Sequence, residues 1–165
     1  MCGIVGYTGT QSAAPILLEG LRKLEYRGYD SAGIAVMHDG CIAISKVTGR
    51  IANLAEKTED GRLLPGITGI GHTRWATHGR PDTVNAHPHM SENGTFAVVH
   101  NGIIENYAEL KQKLIKKGYT FYSQTDTEVA VKLVDYYYKK YNIGPIDAIA
   151  KAMVRIRGSY ALEIM

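Results

Sequence analysis

The spacing of apolar and polar positions divides the chain into short strands and amphipathic helices. Ile4 to Tyr7 is an apolar run closed by Thr8-Gly9, which predicts a buried strand beginning almost at the amino terminus. From Ser12, suited to an N-cap, Leu17, Leu18, Leu21 and Leu24 recur at helical spacing, with Pro15 tolerated in the first turn. Ala32 to Met37 and Cys41 to Val47 are β-rich runs joined through His38-Asp39-Gly40, and Asp-Gly supplies the positive φ angles of a tight hairpin. A short helix is predicted around Ala52 to Lys57 before Leu64-Pro65-Gly66 breaks the chain. Strands near Thr68 to Thr73 and Thr95 to His100 then flank a polar stretch rich in Pro, His and Asn, which reads as a functional loop.

In the second half, Asn106 with Glu109 resembles a capping box ahead of Leu110 and Leu114, with Gly118 as the stop. Thr125 with Glu128 repeats that signature ahead of Val129, Leu133 and Tyr136, and Tyr119 to Tyr122 between the two helices predicts a strand. Ile146, Ile149, Met153 and Ile156 mark a further helix ending at Gly158. The last run, Tyr160 to Met165, is strand-like and lacks turn residues or a polar tail, which predicts continuation within a larger protein. Hairpins and helix pairs, rather than strict βαβ alternation, predict an α+β fold with antiparallel sheet and layered helices.

Composition narrows the function classes. At 165 residues with 45% apolar content, the chain suits one domain with one sizeable core. The net charge of +3 is too small, and the basic residues too scattered, for a nucleic-acid footprint. Cys2 and Cys41 are the two cysteines, which argues against a disulfide framework and for a reducing, cytoplasmic setting. The first residues lack a secretory pattern, and no later run approaches membrane-spanning length, so no membrane partner is expected.

Chemistry begins at position 2. Removal of Met1 would leave a thiol and a free α-amine on one residue, a nucleophile with its base attached. The amine titrates near ~7.7 to 8.0 and the thiol near ~8.5, so proton transfer between them costs only about 1 kcal/mol. Taken alone, Cys2 reads more readily as a small buried residue before a strand, and it is the neighbouring motifs that favour the nucleophile. His72-Thr73-Arg74-Trp75-Ala76-Thr77-His78-Gly79 sets a cation, an indole and several polar groups just past a strand. Arg74 suits a carboxylate in bidentate fashion, although a surface Arg stacked on Trp75 gives the same pattern. His100-Asn101-Gly102 ends a strand, so the Asn101 carboxamide and the Gly102 N–H suit an oxyanion hole, against the plainer reading of an Asn-Gly turn. Asp126, in the first turn of a predicted helix, suits the ammonium of the amino acid whose carboxylate Arg74 holds, which makes glutamine a credible ligand; the helix dipole explains an acidic residue there as well. His87-Pro88-His89 lacks a second cluster at zinc spacing, and Gly3-Ile-Val-Gly6 and Gly69-Ile-Gly71 lack the nucleotide-loop patterns, so neither metal nor cofactor is expected.

Cys2 to Gly6, Tyr26-Arg27-Gly28-Tyr29-Asp30-Ser31-Ala32-Gly33 and His72 to Gly79 resemble the class II glutamine amidotransferases. Leu24 to Asp30, Asn85 to His89, His100 to Asn106 and Thr125 to Glu128 resemble, within that class, the members that deliver ammonia to fructose 6-phosphate. The resemblance implies a four-layer αββα sandwich of the N-terminal nucleophile hydrolase type, incomplete at its C-terminal end. It implies that residues 1–165 are an amidotransferase type 2 domain, with the sugar-phosphate isomerase domains elsewhere and a homo-oligomeric parent enzyme. It assigns Cys2 as nucleophile, Asn101 and Gly102 to the oxyanion, and Arg74, Thr77, His78 and Asp126 to L-glutamine. Trp75 is implied to gate ammonia and Arg27 to support the nucleophile. A glutaminase domain serving another acceptor, as in amidophosphoribosyltransferase, and a catalytically silent glutamine-binding module are the competing readings.

Overall fold

The computed structural model describes residues 2–76 and 79–165. Its described strands form two antiparallel sheets. In the first, β1 (Gly3–Thr8), β4 (Thr68–Arg74), β2 (Ser31–His38) and β3 (Cys41–Thr48) lie in the order β1-β4-β2-β3. In the second, β6 (Ala97–Ile104) is central, between the short β5 (His89–Met90) and β7 (Gly158–Ile164).

Period-two alternation distributes each strand between two hydrophobic layers. On β2, Ala32, Ile34 and Val36 pack outward on α1 (Ala13–Leu24) and α2 (Ile51–Lys57), while Ala35 turns inward toward β6. On β6, Val98 packs on the helical layer of α3 (Tyr107–Ile115), α4 (Thr127–Tyr141) and α5 (Pro145–Met153), whereas Ala97 and Val99 face the first sheet. The result is helices, sheet, sheet, helices: the αββα sandwich expected from the resemblance. The seam between the sheets is built from Ala35, Ile70, Ala97 and Val99, two of them alanines that let the sheets approach closely.

Local rules account for most boundaries. The β2–β3 hairpin turns through Asp39 and Gly40, both at positive φ (48° and 75°), as a two-residue primed turn requires. α1 begins after Ser12 and carries Pro15 in its first turn, and its buried stripe is Leu17, Leu18 and Leu21. No helix among the described residues is long and apolar enough to cross a membrane.

Several expectations fail, the first because side chains take over backbone groups. Residues 119–122 form no strand: the Thr120 N–H donates to Glu92 Oε1 at 2.7 Å, and the Tyr122 and Ser123 N–H groups donate to the Glu128 carboxylate at 3.1 and 2.8 Å. With those donors engaged by carboxylates, no ladder forms. Neither capping box closes. Asn106 instead binds across to residues 155–157, donating to Arg155 O at 2.9 Å and accepting from Arg157 N at 2.9 Å. Thr125 Oγ1 meets His89 Nε2 at 3.0 Å, and α4 starts one residue past Asp126. The helix expected to run to Gly158 stops at Met153, and β6 runs from Ala97 through Ile104 rather than from Thr95 to His100.

Candidate active site

Cys2 stands immediately before β1, and the pairing of Gly3 with Thr73 sets it beside the end of β4. Its Sγ accepts a hydrogen bond from the Trp75 N–H at 3.3 Å and lies 3.6 Å from Trp75 O. The second sheet approaches from the other side: Asn101 Nδ2, on β6, donates to Cys2 O at 3.3 Å. The thiol therefore sits where the end of the first sheet meets the interior of β6. The expectation that Asn101 and Gly102 stand at the end of a strand fails: both are paired within β6, with Ala161 and Tyr160.

A cavity of about 560 Å³ opens at that point, lined by Cys2, Arg27, Arg74, Asn101, Gly102 and Asp126 among others. That volume suits a ligand of amino-acid size with solvent. The Trp75 ring is half exposed at its mouth and meets Tyr29 edge-on, with ring centroids 5.9 Å apart. Arg27 also borders a second hollow that Cys2 and Asn101 line as well, and its Nε donates to Tyr26 Oη at 3.1 Å. Thr77 and His78, expected to hold substrate, lie outside the described residues.

Arg74 is buried at the end of β4, where Nη1 donates to Arg80 O at 3.1 Å and Nη2 lies 3.5 Å from Gly79 O. Its guanidinium therefore ties β4 to the loop that follows it as well as lining the cavity. Asp126 precedes α4; its Oδ2 accepts from the Ile104 N–H at 2.8 Å and its Oδ1 lies 3.8 Å from His100 Nδ1. Gly102 has φ +121°, and a Cβ there would lie 2.2 Å from Ser159 O on the neighbouring β7. Glycine alone fits that backbone, where β6 pairs closely with β7 beside the cavity.

Beneath the cavity lies a group of buried imidazoles. The His72 ring is 4.1 Å from that of His87, which is 4.9 Å from that of His89. Burial lowers the pKa of all three, that of His72 to about 4, and also lowers that of His100, against the opposing pull of Asp126. They are neutral near pH 7. Among the described residues, no group of three or more His, Cys, Asp or Glu is arranged to hold a metal ion.

Sequence reasoning did not single out the residues that brace the loop. Asp30 Oδ2 accepts from the Ala76 N–H just past Trp75. Asn85 accepts from Gln124 N at 2.8 Å and donates to Arg80 O at 3.1 Å. Lys46 Nζ donates to Ala86 O at 2.8 Å, and its pKa is lowered to about 8, chiefly by burial. Asp30 and Asn85 stand within the quoted motifs; Lys46, on a strand, offers no such signal.

Comparison with known proteins agrees with this geometry. The family described as "Glutamine amidotransferase domain" matches residues 72–165. Glutamine--fructose-6-phosphate aminotransferase [isomerizing] of Caldanaerobacter subterraneus subsp. tengcongensis is 58% identical, over all of this chain and 26% of that protein. The protein of the same name from Aquifex aeolicus is 51% identical over all of this chain and 27% of its own length. The chain thus spans about a quarter of these curated relatives. Among solved structures, glutamine phosphoribosylpyrophosphate amidotransferase from B. subtilis, complexed with ADP and GMP, superposes with a TM-score of 0.84 at 30% identity, over all of this chain and 35% of that one. A structure titled as the allosteric regulatory enzyme of purine biosynthesis gives a TM-score of 0.87 at 30% identity, with the same coverage. By sequence and by fold, the chain belongs to the glutamine amidotransferase domain family.

Proposed function

We propose that this domain hydrolyses the side-chain amide of L-glutamine with Cys2 as nucleophile, and that residues 1–165 are the amidotransferase portion of an enzyme passing the ammonia to fructose 6-phosphate. The observation that carries the reading is the convergence of Cys2, Asn101 and Gly102 on one cavity with Arg74 and Asp126. The acceptor is inferred from the named relatives and from the share of their length that the chain spans. The isomerase portion and the assembly of the parent enzyme belong to the remainder of such a protein.

Removal of Met1 exposes the Cys2 α-amine, which takes the thiol proton at a cost of about 1 kcal/mol. The thiolate adds to the amide carbon, and the C=O pair moves onto oxygen. Asn101 Nδ2 and the Gly102 N–H stabilise that oxyanion. The ammonium proton passes to the departing nitrogen, the C–N bond breaks, and ammonia leaves a thioester on Sγ. Water activated by the amine then adds to the thioester; the C–S bond breaks, giving glutamate and regenerated Cys2. Arg74 and Asp126 orient the substrate through its carboxylate and ammonium, with Thr77 and His78 as further contacts. Trp75 covers the route of ammonia from the cavity mouth, and Arg27 supports the nucleophile from beside the second hollow.

The test is labelling with an electrophilic glutamine analogue. Stoichiometric alkylation of Cys2 with loss of glutaminase activity is expected, and Cys2→Ala should show neither labelling nor hydrolysis. Labelling at the exposed Cys41, or hydrolysis surviving in Cys2→Ala, would reject the assignment.

A further inference from the structure

His72, in the seam under the nucleophile, has no part in the chemistry above, yet it meets one of its groups. It lies on β4 and Asn101 on β6, and their side chains touch across the gap between the sheets. His72 Nε2 is 3.0 Å from the backbone carbonyl of His100 and 2.9 Å from Asn101 Oδ1. A backbone carbonyl only accepts, so Nε2 carries the proton. An imidazole N–H cannot face an amide NH₂, so the Asn101 carboxamide must turn its oxygen toward His72. Its Nδ2 is thereby sent the opposite way, where it donates to Cys2 O at 3.3 Å. One proton on one ring sets which end of a nearly symmetric carboxamide faces the nucleophile.

The rest of the ring agrees with a single fixed tautomer. His72 has 0% relative exposure, and its Nδ1 is buried with no hydrogen-bond partner. The ring is held against His87 at 4.1 Å.

We infer that His72 is a positioning residue for glutamine hydrolysis, acting through Asn101 by holding the carboxamide with its NH₂ toward Cys2. The inference rests on the reading of Asn101 as an oxyanion donor. Loss of one such donor typically costs on the order of 100- to 1000-fold in rate, so misaiming it costs up to that much.

The experiment uses the full chain with Met1 removed and measures steady-state glutamine hydrolysis. His72→Leu is expected to lower kcat by about 10- to 100-fold, with KM for glutamine changed less than about threefold, the pattern of an interaction made in the transition state. His72→Gln, which keeps an amide N–H near the Nε2 position, is expected to recover most of kcat. Asn101→Ala combined with His72→Leu should be no slower than Asn101→Ala, because the two side chains act as one unit. Multiplying losses, or a His72→Leu enzyme with parental kcat, would overturn the inference. Should His72→Leu fail to fold, the ¹⁵N spectrum of the parent decides: a proton on Nε2 supports the inference, and one on Nδ1 overturns it. A parent without glutaminase activity would instead reject the underlying functional reading.

Discussion

Asp126 holds a place in the fold and, in the proposed function, a ligand as well. Its Oδ2 already accepts from Ile104 N at 2.8 Å, which fixes its position at the start of α4, and it faces the cavity. If it receives the substrate ammonium, Asp126→Asn keeps the shape and loses the charge. A hydrogen bond to a charged group is worth roughly 1.5 to 3 kcal/mol, so KM for glutamine should rise about 10- to 100-fold while the thermal midpoint moves little. An unchanged KM in steady-state kinetics would exclude that role. At this scale the residue types were legible in the sequence because nucleophile, donor and charge each need particular side chains. Their conjunction was not: residues 2, 74, 101 and 126 meet only because the end of one sheet lies against β6 of the other, which no local spacing encodes. The resemblance supplied that link. His72 carries no local signal for a contact with Asn101, because the two residues meet only across the seam.

At the scale of elements, the periods of two and 3.6 identified strands and helices wherever burial is one-sided, as in α1 and the β2–β3 hairpin. They misled at residues 119–122, where aromatic residues suggested a strand but the backbone donors go to Glu92 and Glu128. That connection is braced by a buried pair: Lys132 Nζ lies 2.8 Å from Glu128 Oε1, with both side chains at or below 5% exposure. Removing the cation leaves a buried carboxylate unpaired, so Lys132→Ala should lower unfolding free energy by about 3 to 5 kcal/mol in denaturant titration. A loss below about 1 kcal/mol would show that Glu128 is satisfied by its N–H donors alone. Gly102 sets a similar constraint on β6. A methyl group there meets Ser159 O at 2.2 Å in a backbone region costly to other residues, so Gly102→Ala should destabilise the chain by about 2 kcal/mol or more. A thermal midpoint equal to the parent's would contradict that reading.

The molecule as a whole stores buried histidines where its layers meet, and this gives its stability a pH dependence. His72, His87, His89 and His100 all have pKa values lowered below 6.5, primarily by burial. Unfolding releases them to titrate normally, so below pH 6.5 the unfolded chain binds protons that the folded chain refuses. The contribution of these rings to stability is therefore full above pH 6.5 and falls as the pH drops toward about 4, the value for His72. Glu163, whose pKa is raised by burial, acts in the opposite sense, but it is one carboxyl against several imidazoles. Thermal unfolding should show a lower midpoint at pH 5 than at pH 7.5, and a flat profile would argue against neutral buried rings. Antiparallel sheet with layered helices was legible from the clustering of strands and helices and the four-layer sandwich from the resemblance, whereas the buried histidine group depends on which faces meet between the layers. The central claim, that sulfur and a free α-amine on Cys2 work together, is tested most directly by comparing two preparations of the full chain. One has Met1 removed and the other has its amino terminus blocked, and glutaminase kcat is measured on both beside mass analysis of the terminus. The account predicts hydrolysis with the free Cys2 terminus and essentially none with the blocked one; equal rates from the two would contradict it.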